Sequence, residues 1–398
     1  MSMDNKVPEI RFRGFSGKWA ENSLGELIDI RSAARVHKEQ WTEAGVPFFR
    51  TSDVVSIYKG QGNTKAYISH EIYNALSEKI GKVTKDDLLI TGGGSIGIPF
   101  LVPNDNPLYF KDADLLWLKN NKFNGYFLYT FFFSEPFKKH IKSISHTGTI
   151  AHYTIEQAKA TPINTCCDEE QSTIGNYFQK LDALINQHQK KYDKLSNIKK
   201  AMLEKMFPKQ GETIPDIRFK GFSGEWEEKA ICDLFTVTRG NVLSATKTSP
   251  IPTPDKRYPV YSSQTKNNGL MGFYDQYLFE NAITWTTDGA NAGTVNFRDG
   301  KFYSTNVNGV LLSDEGYANK AIAEILNKEA WRHVSHVGNP KLMNNVMSVI
   351  KITIPNSVEE QTAIGSYFQK LDNLINQHQQ QITKLNNIKQ ACLSKMFV

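Results

Sequence analysis

Hydrophobic positions recur at seven-residue spacing along 169–207, at Ile174, Leu181, Leu195 and Met202, with the polar His188 in the same row. Tyr177, Leu184 and Ile198 fill companion positions, and Phe178, Ile185, Tyr192 and Met206 widen the stripe. That period predicts a long helix with one buried face. Asp168 with Gln171 has capping-box spacing at its start, and Pro208 stops it. The seam returns at Ile364, Leu371, His378 and Leu385, with Ser357 and Glu360 at the cap spacing and the chain end as the stop. Aligned at an offset of 190, residues 169–207 and 359–397 are identical at 27 of 39 positions. At about 1.5 Å per residue each helix is roughly 55–60 Å long. One such helix exposes its seam, so two in one chain predict an intramolecular antiparallel pair.

The remaining segments carry shorter patterns. Residues 20–163 show β-like runs at Pro47–Phe49, Leu88–Ile90, Phe100–Val102 and Leu115–Leu118, separated by Gly, Asn and Asp clusters. Only Gly125–Ile141 reads as a helix there, interrupted at Pro136. Residues 227–355 behave alike, with runs at Tyr258–Tyr261, Ala282–Thr286, Thr294–Phe297 and Val307–Leu312 and a helix over Tyr317–Val334. Each lobe is predicted to be a β-rich α/β domain.

The repeat extends beyond the helices. Residues 8–19 (PEIRFRGFSGKW) and 215–226 (PDIRFKGFSGEW) agree at 9 of 12 positions, with Trp19 and Trp226 as packing anchors. His146 and Gly148 map on His336 and Gly338. Between these landmarks the lobes share little sequence. The predicted fold is therefore a mixed α+β chain with an internal pseudo-twofold duplication, two β-rich globular lobes separated by two long antiparallel α-helices. One scaffold written twice with two different lobes suits a chain that reads two unlike short sequences. A palindrome reader takes its symmetry from two chains instead.

Composition narrows this modestly. The 398 residues suffice for two or three domains, and 40% hydrophobic content with a mean hydropathy of −0.43 describes a soluble globular chain. No apolar run reaches about 18 residues, so no membrane span is predicted. The first residues lack a signal-peptide apolar region. Cys166, Cys167, Cys232 and Cys392 fit neither a disulfide framework nor a zinc site, and the expected compartment is the cytoplasm. A net charge of +6 permits a nucleic-acid partner without requiring one.

The pattern EEQ-x-x-I-G-x-Y-F-x-x-L-D-x-L-I at residues 169 and 359 resembles the specificity subunit of type I restriction–modification enzymes. So do YPVYSSQTKNNGLMGFYDQY (258–277) and DGANAGTVNFRDGKF (288–302). The resemblance covers essentially the whole chain. It implies target recognition domains at 1–163 and 209–355 and spacer helices at 164–208 and 356–398. It implies a non-catalytic subunit that binds double-stranded DNA at a bipartite, asymmetric target. Partners would be two modification subunits that methylate adenine with S-adenosylmethionine, and restriction subunits using ATP and Mg. This chain would bind no cofactor or metal itself, and the helices would act as a ruler for the unread bases. Two rivals remain, a stand-alone DNA methyltransferase and a coiled-coil scaffold that reads no DNA.

Candidate chemistry is weighed on that background. Gly92, Gly94 and Gly97 satisfy G-x-G-x-x-G, but a nucleotide site needs a helix next, and Ile98–Pro103 reads as strand. A turn presenting backbone N–H groups, with an analogue at 288–293, is the competing reading. Asn106-Pro107-Leu108-Tyr109 is one residue from an amino-methyltransferase motif that stacks a flipped base on its aromatic ring. A loop with a packed tyrosine is the alternative. His188 and His378 read either as a metal or pH switch or as buried polar groups fixing register, and no further metal ligands are spaced around them. Base reading needs Arg, Lys, Asn, Gln, Ser and Thr on grooves, with phosphate contacts from the same types. The candidates are Arg31, Arg35, His37, Lys38, Arg50, Thr51, Ser52 and His146 in the first lobe. In the second they are Lys256, Arg257, Ser262, Ser263, Gln264, Lys266, Asn267, Asn268, His336 and Asn339. Lys190, Lys191, Lys194, Lys199 and Lys200 form a charged helix face, solvated or in contact with a partner.

Overall fold

Residues 6–144, 152–263 and 266–398 are described by a computed structural model. The chain divides into two units, Met1–His188 with Gln380–Val398, and Gln189–Gln379. In unit 1, β1 (Ala20–Ser23) pairs antiparallel with β10 (Pro162–Thr165), which brings the two ends of the lobe together. Helix α1 (Leu24–Leu27) leads to β2 (Asp29–Arg31), followed by β3 (Trp41–Thr42), β4 (Val46–Phe49), α2 (Thr51–Tyr58), β5 (Ala66–Ile68) and α3 (His70–Ile80). Then come β6 (Leu88–Thr91), β7 (Pro99–Leu101), β8 (Tyr109–Phe110), β9 (Leu115–Lys119), α4 (Gly125–Phe131), α5 (Glu135–Ile144) and α6 (Ile155–Lys159). The strands form two four-stranded sheets, β2-β9-β6-β7 and β3-β5-β4-β8.

Helices α1, α2, α3 and α6 correct the sequence expectation of a lobe with one helical region. Helix α3 carries legible signals: the Ser69 hydroxyl accepts from the Ile72 N–H, and Gly81 ends the helix at φ +96°. Helix α2 has Asp53 accepting from the Arg50 N–H at 2.9 Å, and Gly60 (φ +64°) follows its last turn. Its sequence TSDVVSIY is short and rich in β-branched residues, and only Asp53 and Val54 are buried. The expected single helix at 125–141 is two, α4 and α5, with Pro136 in the first turn of α5, where a proline is tolerated.

Unit 2 contains β11 (Glu227–Ala230), α8 (Ile231–Leu234), β12 (Thr236–Arg239), β13 (Tyr258–Tyr261), β14 (Leu270–Tyr274), β15 (Phe279–Thr286), β16 (Val295–Ser304) and β17 (Asn308–Leu312). Helices α9 (Lys320–Ala330) and α10 (Asn344–Val349) and strand β18 (Lys351–Ile354) follow, and β11 pairs with β18. One six-stranded sheet runs β12-β17-β15-β16-β13-β14. Its first four strands repeat the order β2-β9-β6-β7. Strand β13 runs parallel to the end of β16 as β4 runs parallel to β8. The lobes are thus built on one topology despite their divergent sequences. In each, a central sheet is buried against helices: Ile283, Trp285 and Leu311 pack on α9, while Ile90, Leu116 and Leu118 join Phe127, Phe131 and Trp19.

A long helix follows each lobe in sequence, α7 (Asp168–Lys205) and α11 (Val358–Lys395), 38 residues each. In unit 1 the start of α7 lies beside the end of α11, with the Tyr177 hydroxyl 3.7 Å from Cys392 Sγ and Lys389 on Asp182. In unit 2 the end of α7 lies beside the start of α11, with Lys199 Nζ 2.6 Å from Asp372 and the rings of Phe207 and Phe368 stacked at 5.5 Å. The pair is therefore antiparallel. The flanking segments are clamped identically. Arg11 grips the buried Glu170 carboxylate with two hydrogen bonds (2.6 and 2.7 Å), and Arg218 grips Glu360 (both 2.6 Å). Trp19 and Trp226 are buried as anchors.

The seam is only partly as expected. Ile174, Leu181, Ile364 and Leu371 are buried, whereas Leu195 and Leu385 are half-buried. Leu184 is 45% exposed, so the companion row does not close over the middle of the helix. His188 and His378 are half-buried, not buried, so their reading as buried register-setting groups is corrected. Asp168 is the first helical residue and no cap; the Gln171 N–H donates to the Cys167 carbonyl. Ser357 does cap α11, accepting from the Glu360 N–H at 3.1 Å. Lys199 leaves the solvated lysine face to pair with Asp372 and Glu324.

Candidate nucleic-acid interface

The duplicated topology brings several of the candidate loops of each lobe together at one edge, formed by the ends of neighbouring strands. In unit 2, parallel pairing of β13 with β16 places Thr305 beside Tyr261, whose carbonyl accepts from the Thr305 N–H at 2.9 Å. Thr305 Oγ1 donates to Ser262 Oγ at 3.0 Å. Beyond the loop, Thr287 donates both its N–H and its hydroxyl to the Val307 carbonyl, at 3.2 and 2.8 Å. Gly289 then donates to the Pro340 carbonyl at 2.9 Å, and Asp288 forms a bridge with Lys341. Two hydrogen bonds between Ser335 and Lys341 (2.8 and 3.0 Å) close a tip carrying His336 and Asn339, both exposed. Asn267 and Asn268 are exposed at the turn between β13 and β14, in left-handed backbone (φ +52° and +53°) that asparagine tolerates.

Unit 1 repeats these connections with other side chains. The Lys111 N–H donates to the Phe49 carbonyl at 2.8 Å, as Thr305 does to Tyr261. Thr51 Oγ1 donates to the Asp114 carbonyl at 3.2 Å, and the Gly92 N–H donates to the same carbonyl at 2.8 Å. Gly93 bridges His152 as Asp288 bridges Lys341. The glycine-rich turns are also equivalent. Gly97 (φ +78°) donates to Thr91, and Gly293 (φ +86°) donates to Thr286, in conformations that favour glycine. The first turn leads into β7 and not into a helix, which removes the dinucleotide reading.

A groove of about 740 Å³ lies along this edge in unit 1, lined by Arg35, His37, Lys38, Arg50, Thr51 and Ser52 together with Trp41 and Lys111–Asp114. Six of the predicted candidates thus converge. Arg50 is held by Asp53 at 2.8 Å and by the Thr64 carbonyl, and Lys111 is held by Asp114 at 2.6 Å. Arg35, His37 and Lys38 are exposed on the rim. Arg31 is elsewhere, paired with Asp29 and donating to the Ile80 carbonyl at 3.2 Å. In unit 2, Lys256 donates to the Lys247 carbonyl at 2.7 Å, and the Arg257 guanidinium lies 4.9 Å over the Tyr258 ring. Ser263 is half-buried. His146 and Gln264 lie outside the described residues, as does the side chain of Lys266. Lys111, Asp112 and Asp114 escaped the sequence reading, because only the non-local pairing of β4 with β8 brings them to the groove; Trp41, on β3, is not a polar side chain of the kind sought.

Tyr109 is 1% exposed, its hydroxyl donating to the Ala34 carbonyl and accepting from the Ala34 N–H, both at 3.1 Å. Burial pushes its phenol up to about 12. A ring so packed cannot receive a flipped base, and the methyltransferase reading of Asn106–Tyr109 is withdrawn. Burial likewise brings the Arg298 guanidinium down to about 10, 3.8 Å over the Tyr261 ring beneath the loop edge. Among the described residues no group of three or more His, Cys, Asp or Glu could hold a metal ion, and no helix is long and apolar enough to cross a membrane.

Two like-built lobes on a doubled helical frame define a class, and the comparisons with known proteins agree. The type I restriction modification DNA specificity domain matches residues 16–197 and 223–387, most of both halves. The chain belongs to this family. It is 41% identical over 128 residues to a Mycoplasma pneumoniae protein described as the N-terminus of a type I specificity subunit, covering 31% of this chain and 65% of that one. The chain thus spans less than two thirds of that relative. A second Mycoplasma pneumoniae protein, described as a type I specificity subunit, is 32% identical over 244 residues, 58% of this chain and 84% of that one. The fold matches the S subunit of a type I restriction-modification system from M. genitalium, with a TM-score of 0.71 at 16% identity over 98% of this chain and 99% of that one.

Proposed function

We propose that this chain is the DNA sequence-recognition subunit of a type I restriction–modification complex. The observation that carries the reading is the repeated loop edge. The same hydrogen-bonded loops follow equivalent strands in both lobes, with different side chains on them. Each lobe reads one half of a bipartite, asymmetric target in the major groove, with phosphate contacts fixing its register. The chain itself transfers no methyl group. Methylation of adenine with S-adenosylmethionine belongs to modification subunits, and cleavage with ATP and Mg belongs to restriction subunits. Two modification subunits are supported by the helices: Lys180, Leu184 and Gln187 recur as Lys370, Leu374 and Gln377, all exposed. Exposed leucines kept in both copies (45% and 43%) suit two equal docking faces.

The test is to map modified adenines in DNA from cells carrying this chain with its modification partner, then to exchange residues 20–163 for another lobe. One half-site should change and the other persist. A change in both half-sites, or methyl transfer by the isolated chain, would refute the reading. Lengthening both long helices in step should lengthen the unread stretch.

A further inference from the structure

The two most exposed large hydrophobic side chains among the described residues are both valines, Val337 at 92% and Val242 at 80%. Both stand on the loop edge of unit 2. Val337 follows His336 on the tip closed by Ser335 and Lys341 and tied to Gly289 through the Pro340 carbonyl. Val242 follows Asn241, whose N–H donates to the Ser304 carbonyl at 3.1 Å and which bridges Thr305, the residue that binds Ser262. Neither valine packs into a core, and each backbone is fixed by hydrogen bonds on at least one side. A branched apolar side chain held out in water gains nothing in the free protein. It gains on meeting an apolar group, and the major-groove edge of DNA offers only one, the C5 methyl of thymine.

We propose that Val242 and Val337 are specificity-determining residues that each contact a thymine methyl in the half-site read by the second lobe. Polar neighbours on the same loops, His336, Asn339 and Asn241, serve base edges and phosphates around them. This inference rests on the sequence-recognition function proposed above.

Deoxyuridine lacks only that methyl, so it isolates the contact. The full chain is assayed for binding to duplexes carrying its mapped target, with each thymine replaced in turn by deoxyuridine. Two replacements within one half-site should each weaken binding about four-fold, the factor expected for one buried methyl group. V337A should abolish one of these sensitivities and V242A the other, each leaving the second intact. Both positions are surface tips, and unchanged melting curves verify folding. A half-site without thymine, absence of any deoxyuridine effect, or effects that persist in both variants would overturn the proposal while leaving sequence-specific binding in place. If the unchanged chain showed no sequence preference at all, the underlying function would fall and the inference with it.

Discussion

Phe397 near the end of α11 offers the sharpest test of how the chain is built. Its ring is 5% exposed and lies 6.2 Å from Trp19, 5.6 Å from Phe127, 6.5 Å from Phe131 and 6.2 Å from Phe178. All four neighbours belong to the first 188 residues, so the last turns of the chain complete a core laid down by the first. Phe397→Ala should cost about 3–5 kcal/mol. The upper half of that range is expected because the cavity cannot collapse easily. The Asn164 amide donates to the Val398 carbonyl at 2.7 Å and the Ile10 N–H to the Lys395 carbonyl at 3.0 Å, pinning the backbone on both sides. At about 1.4 kcal/mol per decade, amide protection in residues 20–165 should fall by roughly two to four powers of ten. Hydrogen exchange followed by mass spectrometry on the full chain reads this peptide by peptide. Peptides from 227–355 should hold their protection. Phe207→Ala, whose ring lies 6.2 Å from Trp226, should give the mirror result. An F397A effect confined to the last turns of α11, or spread equally over both units, would refute the reasoning.

Three further outcomes are expected. Arg11→Ala should destabilise unit 1 by about 3–5 kcal/mol in thermal unfolding, because Glu170 is left buried and charged without its partner; a loss below 1 kcal/mol would mean water replaces the arginine. Burial alone would raise the Asp372 carboxyl, but Lys320 and Lys199 more than offset it, and its pKa lies below the ordinary carboxylate value. Its stabilisation is therefore complete above the unfolded value of about 3.9 and is lost as pH falls through the lower folded value. The stability gap between the unchanged chain and Asp372→Asn, measured by denaturant titration, should be full at pH 6 and shrink below about pH 4. Arg35→Ala and Lys38→Ala should each weaken binding to all duplexes and reduce the salt slope by about one, whereas Arg31→Ala, tied to Asp29, should change neither.

The long helices, the anchoring tryptophans and strands β4, β6, β7, β9, β13, β15, β16 and β17 were legible because their signals are local. A seven-residue period, a Ser357 cap and alternating runs are written within one or two turns of chain. Helix α3 is bracketed by Ser69 and Gly81 and α2 by Asp53 and Gly60 (φ +64°), but α2 is too short to show a helical period. The sequence could also list polar loops but not rank them. Arg31 and Arg35 look alike on paper, yet one is tied down beside β2 and the other stands on a groove. Lys199 and Lys200 are neighbours, and only one turns inward to Asp372.

By itself the sequence determined that one scaffold is present twice and that its lobes differ, since a repeat needs only comparison of the chain with itself. The tertiary structure alone decided that the divergent lobes share the order of four sheet strands, and that Arg50 and Ser262, unrelated in sequence, follow equivalent strands. The reason is physical. Strand pairing is fixed by backbone hydrogen bonds between segments dozens of residues apart, and these place loops together whatever side chains the loops carry.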